Sequence, residues 1–286
     1  MAKTIIALMY DFDKTLCEKD MQEYGFIPSI GMEAEEFWAE ANKIAHKYNM
    51  DKILAYMLLM NKQAKKNDLQ ITKESLQQLG KDVEFFPGVD TWFERINAFG
   101  RSLGLEIEHY IISSGLKEII EGTAIAQEFK RIYACEFHYN ERGNAVWPRQ
   151  IVNFTTKTQF LFRISKGVLD VLDDLTLNTY MSDEDRRIPY RNMIYLGDGI
   201  TDVPCMKLVK QYGGQSIALY HGDDMTKVHK LLGENRVNYI CNSDYRKGSE
   251  LEKIVKLILT RMSITNKLAE IEVAQRKGMS SGGDNL

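Results

Sequence analysis

Short runs of apolar, β-branched and aromatic residues punctuate the chain at residues 4–10, 108–112, 131–136, 192–196, 216–219 and 237–240. They are continuous rather than alternating, which predicts strands buried on both faces, as in a parallel sheet. Between most of them apolar positions recur at helical spacing, over 91–99, 116–126, 156–165, 203–210 and 225–232. Alternating strands and helices predict an α/β fold with helices on both faces of the sheet. In such sheets ligands bind beyond the carboxyl ends of the strands, where the strand order reverses.

One stretch breaks the alternation. Residues 18–84 contain no good strand. Phe37, Trp38, Ala41, Ile44 and Ala45 lie at helical spacing within 33–48, and Ile53, Leu54, Met57 and Leu58 within 50–63. Thr72 is placed to cap a short helix through Leu79. This predicts a helical insertion of residues 18–84, with the Met and aromatic stripe as its own core. Phe86-Pro87-Gly88-Val89 marks the return, since proline fixes φ and glycine permits a tight bend. Residues 1–17 and 85–286 then form one discontinuous α/β unit. Asn140-Glu141-Arg142-Gly143-Asn144 predicts a hairpin turn. A long helical pattern follows Ser249 to about residue 277, with Ile254, Leu257 and Ile258 on one face, to dock on the core or on a partner. The oligomeric state stays open. The Gly/Ser-rich end is expected to fray.

Composition narrows the functional class. The net charge is -3 and 44% of residues are hydrophobic. A nucleic-acid surface is normally strongly basic, so none is expected here. The pairs Lys65-Lys66 and Arg186-Arg187 read as solvated surface. Cys17, Cys135, Cys205 and Cys241 are scattered with no CxxC, which argues for reduced, packed thiols and a cytoplasmic location. No apolar run is long enough to span a membrane, and the opening run is too short for a signal peptide.

The chemistry sits at the strand ends. The first run ends in Tyr10-Asp11-Phe12-Asp13-Lys14-Thr15. Two acids this close, at the end of a buried strand, raise each other's pKa unless a cation holds them ionised. The second run ends in Ser113-Ser114-Gly115 before a helical pattern. That arrangement suits either an ordinary helix N-cap or a phosphate site. Lys157 lies near a helix start, against the helix dipole, which makes sense if it balances an anion. Lys166, at a helix end, is the competing lysine. The fourth strand ends in Gly197-Asp198-Gly199 with Asp202 further on. Asp198 is placed as a hard oxygen ligand for Mg²⁺, whereas Asp202 suits a metal or a helix cap equally.

Taken in order, these segments resemble the haloacid dehalogenase-like hydrolase superfamily. Asp11-Phe12-Asp13-Lys14-Thr15-Leu16 is similar to its DxDxT motif, Ser113 to its second motif, Lys157 to its third, and Gly197-Asp198-Gly199-Ile200-Thr201-Asp202 to its fourth. The resemblance spans about residues 5–219. Among capped members the phosphoserine-phosphatase-like branch is nearest. The resemblance implies a Rossmann-like doubly wound core with residues 18–84 as a small α-helical cap. It implies Asp11 as nucleophile, forming an aspartyl-phosphate, and Asp13 as general acid and base. It implies Ser113, Ser114 and Lys157 around the phosphoryl oxygens, and Mg²⁺ at Asp11, the Asp13 carbonyl and Asp198, with Asp202 supporting. The activity implied is a Mg²⁺-dependent phosphatase acting on a small phosphorylated metabolite. A phosphotransferase or mutase is the nearest alternative, and a non-catalytic regulatory protein the more distant one. Lys14 stands where a small residue is common and Ser114 where that branch often has glycine. Asp20 and Glu23 read as surface acids.

Overall fold

The computed structural model describes residues 3–223 and 225–280. Its centre is a seven-stranded sheet in the order β4-β3-β2-β1-β5-β6-β7. The strands are β1 (Thr4–Tyr10), β2 (Leu105–Leu116), β3 (Phe129–Tyr139), β4 (Ala145–Gln150), β5 (Met193–Gly197), β6 (Gln215–Tyr220) and β7 (Tyr239–Asn242). All pairings are parallel except β3 with β4, the hairpin that turns at residues 140–144. β1 lies between β2 and β5, and its last five residues and all of β5 are buried. Continuous apolar sequence is what such a two-sided burial demands.

The helices are α1 (Phe26–Ser29), α2 (Ala34–Tyr48), α3 (Lys52–Lys66), α4 (Lys73–Leu79), α5 (Val89–Ser102), α6 (Lys117–Glu121), α7 (Lys157–Lys166), α8 (Asp174–Asn178), α9 (Val203–Gln211), α10 (Thr226–Gly233) and α11 (Glu250–Ser280). Successive strand residues face opposite sides. Tyr10 and His109 meet Trp92, Phe93 and Asn97 of α5. On the other side Tyr133 stacks on Phe160 of α7, with ring centroids 4.4 Å apart. The sheet is thus covered on both faces, as the sequence pattern predicts. Among the described residues no helix is long and apolar enough to cross a membrane.

Between β1 and α5 the chain makes helices, turns and two isolated bridges, Asp13 with Cys17 and Cys17 with Phe85. Asp51 caps α3 by accepting from the Ile53 and Leu54 amides, and Thr72 caps α4 in a reciprocal pair with Ser75. The outgoing and returning segments run side by side. Phe86 N–H donates to the Leu16 carbonyl at 3.0 Å and Glu18 N–H to the Glu84 carbonyl at 3.3 Å.

Several sequence expectations need correction. The helix predicted over 116–126 is only α6, because the chain turns at Gly122 and Thr123. β2 continues through Ser113 and Ser114 to Leu116 with a register shift after Ile112, so neither serine caps a helix. The buried face of α11 is Leu251, Val255, Ile258, Leu259 and Met262, whereas Leu257 is 70% exposed. Arg187 is exposed, as expected, but its guanidinium is anchored on one side. It grips the buried Glu108 through both guanidinium nitrogens at 2.7 and 2.6 Å. Burial alone would push Glu108 up, but bonds from Arg187 and Tyr110 outweigh it and hold the carboxyl at about 2. The C-terminal Gly/Ser segment lies outside the described residues.

A polar chain crosses the core beneath β1. The Trp92 indole, which can only donate, gives its N–H to the Tyr10 hydroxyl at 2.9 Å. Asn97 Oδ1 can only accept, so His109 Nε2 donates to it at 2.9 Å, and the Tyr10 hydroxyl donates to the unprotonated Nδ1 at 3.0 Å. Burial depresses the imidazole to about 3. The unfolded chain takes up this proton near pH 6.5 and the native state does not, so the contribution to stability is present above pH 6.5 and is lost as pH falls toward 3. His109→Gln, which keeps a donor and an acceptor but does not titrate, removes that slope. Urea denaturation should show wild type losing about 2 kcal/mol relative to this variant between pH 6.5 and 5. Parallel pH profiles for the two proteins would contradict the neutral buried imidazole.

Candidate active site

Asp11 is the first residue past β1, and its amide donates to the Leu196 carbonyl of β5 at 2.9 Å. This bond continues the β1–β5 ladder and fixes the carboxylate at the carboxyl end of the two central strands. One oxygen, Oδ1, accepts from the Phe12 amide at 2.8 Å. The other lies 3.0 Å from Lys157 Nζ. Lys157 is fully buried and also donates to Asp202 Oδ1 at 2.7 Å. Burial alone would push this ammonium down, but Asp11 and Asp202 outweigh it and hold it above the ordinary lysine value.

Of the two lysines that the sequence leaves in competition, only Lys157 meets Asp11. It begins α7, and the turn ahead of it is built by Asn153. The Asn153 side-chain oxygen accepts from the Thr155 and Thr156 amides at 3.1 and 2.9 Å, and its carbonyl accepts from the Lys157 amide at 2.9 Å. Lys166 instead ties down the segment after α7, bonding the Leu177 and Thr179 carbonyls at 2.6 and 2.5 Å.

Asp198 follows β5. Asp11, Asp198 and Asp202 each present a carboxylate oxygen, all within 4.8 Å of one another. Asp202 does not cap α9 with its side chain. Its oxygens turn back to Lys157, to the Tyr195 hydroxyl at 2.8 Å and to the Gly199 amide at 3.1 Å. Gly197 makes this possible, because a Cβ there would lie 2.6 Å from the Asp202 carboxylate. Burial and then Asp202 push Asp11 up to about 8, and burial and Asp202 push Asp198 to about 6.

Asp13 sits in a different environment. Its Oδ1 accepts from the Met21 amide at 2.8 Å. Burial, followed by the charges of Asp20 and Asp11, holds its carboxyl well above the usual range. Gly115 lies against the other oxygen, where a Cβ would come within 2.9 Å of Oδ2 and collide with Met21. Lys14 adopts a left-handed φ of 56° and pairs with Asp20 at 2.6 Å. Asp20 and Glu23 are therefore engaged rather than free surface acids, since Glu23 accepts from the Trp38 indole at 2.9 Å.

Ser113 is fully buried, and its Oγ accepts from the Gly115 amide at 3.0 Å. The hydroxyls of Ser114 and Thr15 are buried without a hydrogen-bond partner. Sequence reasoning missed the contacts from the helical insertion. Tyr56 of α3 donates to the Ser114 carbonyl at 2.9 Å, and Asn153 donates to Asp51 at 2.9 Å. It also missed Tyr195, which an apolar strand reading absorbs into the core.

The donor set fits a hard divalent cation. Three carboxylates converge beside the buried ammonium of Lys157, with the half-exposed Lys227 3.8 Å from Asp198, and every candidate ligand is oxygen.

Comparison with known proteins identifies the family and the fold. A family model described as haloacid dehalogenase-like hydrolase matches residues 8–207. An uncharacterized protein of Borreliella burgdorferi is 28% identical over 279 residues, covering 87% of this chain and 94% of that protein. A structure of the phospho-aspartyl intermediate analogue of phosphoserine phosphatase aligns with a TM-score of 0.54 at 13% identity, over 89% of this chain and 99% of that one. A hydrolase of the same family from Salmonella enterica serovar Typhi aligns with a TM-score of 0.56 at 16% identity, over 83% of this chain and 67% of that one. The fold is thus shared with phosphoserine phosphatase, and the chain belongs to the haloacid dehalogenase-like hydrolase family.

Proposed function

We propose that this hydrolase is a Mg²⁺-dependent phosphatase acting on a small phosphate monoester through an aspartyl-phosphate. One observation carries the reading: Asp11, at the end of the central strand, lies 3.0 Å from a buried lysine and converges with Asp198 and Asp202 within 4.8 Å. Phosphoryl transfer asks a protein chiefly for positioning and charge stabilisation, and these are what the constellation offers. Asp11 and Asp198 would hold the cation together with the Asp13 carbonyl. Asp202 supports them through Lys157. When bound, the cation would neutralise charge on the phosphoryl oxygens and would keep Asp11 ionised.

Asp11 attacks phosphorus as the bond to the leaving alkoxide breaks. Asp13, held protonated by burial, gives that alkoxide its proton. It then takes a proton from the water whose attack breaks the acyl phosphate bond. Two carboxyls two residues apart thereby divide nucleophile and acid by environment. Ser113 and Lys157 hold phosphoryl oxygens, with Ser114 beside them. Residues 18–84 serve as a cap over this site, and substrate selection belongs to them.

Asp11→Asn should remove hydrolysis of p-nitrophenyl phosphate, on the order of 10⁴-fold or more, with an unchanged circular dichroism spectrum. Retained turnover would end the nucleophile assignment. Transfer of the phosphate to a sugar hydroxyl, with no inorganic phosphate released, would favour the phosphotransferase reading. Failure to bind beryllofluoride with Mg²⁺ would favour a non-catalytic protein.

Lys157→Met leaves Asp11 and Asp202 buried without their counter-ion, which should lower stability by about 3–5 kcal/mol at pH 7.5. Unpaired carboxyls bind protons more tightly in the native state than in the unfolded chain. The loss should therefore shrink as pH falls through the raised values, and should shrink again on adding Mg²⁺. Urea melts at pH 7.5 and 5.5, with and without Mg²⁺, read this directly. A pH-independent loss would argue against an electrostatic role for the lysine.

A further inference from the structure

We infer that Tyr195 is a positioning residue for phosphoryl transfer, acting through Asp202 on Lys157; the inference rests on the phosphatase reading above. Tyr195 is fully buried in β5, in a strand that is otherwise Met193, Ile194 and Leu196 before Gly197. A phenylalanine would satisfy the packing of such a strand. The Tyr195 hydroxyl meets the buried thiol of Cys205 and donates to Asp202 Oδ1 at 2.8 Å.

That same oxygen accepts from Lys157 at 2.7 Å, while Oδ2 takes the Gly199 amide at 3.1 Å. Three donors from three elements hold the carboxylate, so it cannot rotate without breaking more than one bond. The alternation along β5 places Tyr195 level with Met9, on the side of the sheet that Asp11 also faces two residues later. Tyr195, Asp202, Lys157 and Asp11 therefore form one continuous chain of contacts.

The ammonium of Lys157 is shared unequally, 2.7 Å from Asp202 and 3.0 Å from Asp11. A donor on Asp202 Oδ1 draws charge from that oxygen and weakens its hold on the lysine. Lys157 is then left available to Asp11 and to a phosphoryl oxygen. Without the phenol the lysine retracts toward Asp202, and stabilisation is lost where negative charge develops in the transition state. Ground-state binding changes little.

A double-mutant cycle with Tyr195→Phe and Asp202→Ala tests this, using p-nitrophenyl phosphate turnover and inhibition by orthovanadate, a mimic of the five-coordinate phosphoryl group. In the wild-type background Tyr195→Phe should lower kcat and weaken orthovanadate inhibition by roughly tenfold, the usual scale for a partner that orients a site residue, with KM within about twofold. In the Asp202→Ala background the same change should alter neither quantity by more than about twofold, because effects that share one network do not add. An equal loss in both backgrounds, or no loss in the first, overturns the inference. If Asp202→Ala does not fold, Lys157→Met replaces it, with orthovanadate affinity measured by calorimetry and judged by the same criterion. A wild type that hydrolyses no phosphate ester removes the phosphatase reading and this inference together. An active wild type indistinguishable from Tyr195→Phe removes the inference alone.

Discussion

The buried ammonium of Lys157 is the constraint on which the site depends. Two carboxylates, Asp11 and Asp202, lie out of water and within 3.0 Å of one cation. Each charge would be strongly disfavoured there alone, and the pair contact is stabilising only because the geometry is fixed and further hydrogen bonds complete the carboxylates. The surroundings supply that geometry. The β1–β5 ladder fixes Asp11, the Asn153 turn fixes the start of α7, and Gly197 gives Asp202 room to fold back. Burial first, and then the charge of Asp202, outweigh the lysine and hold Asp11 at about 8, and a divalent ion suits carboxylates in such a site.

Polar contacts from the helical insertion fall beside the residues of this site. The Met21 amide meets Asp13, Tyr56 meets the Ser114 carbonyl, and Asp51 meets the asparagine that shapes the turn before Lys157. Each is a single directional bond, so each fixes orientation more than it adds stability. Asp51 serves twice, capping its own helix and holding Asn153.

The buried strands were legible because two-sided burial leaves unbroken apolar runs, and the acids at their ends stood out against those runs. Strand lengths were less legible. β2 runs on to Leu116 because a register shift accommodates Ser113 and Ser114, and short polar residues give no periodic signal there. Asp202 could not be assigned from local sequence, since the partner that decides its role, Lys157, lies 45 residues away. The segment after α7 was illegible for a different reason. Leu172, Leu175 and Tyr180 are at least 84% exposed, and the loop is held by Arg163 and Lys166 bonding its carbonyls. Apolar content misleads where polar anchoring determines the path.

The side-by-side exit and return at Leu16–Glu18 and Glu84–Phe86 has a consequence for the history of such a chain. Closing a loop costs entropy that grows only slowly with its length. Here the two ends are already joined by backbone bonds at 3.0 and 3.3 Å. The sheet is therefore nearly indifferent to how much polypeptide is spliced between them. A change in the length of that segment need not change the strand order, provided the bonds at its two ends are kept.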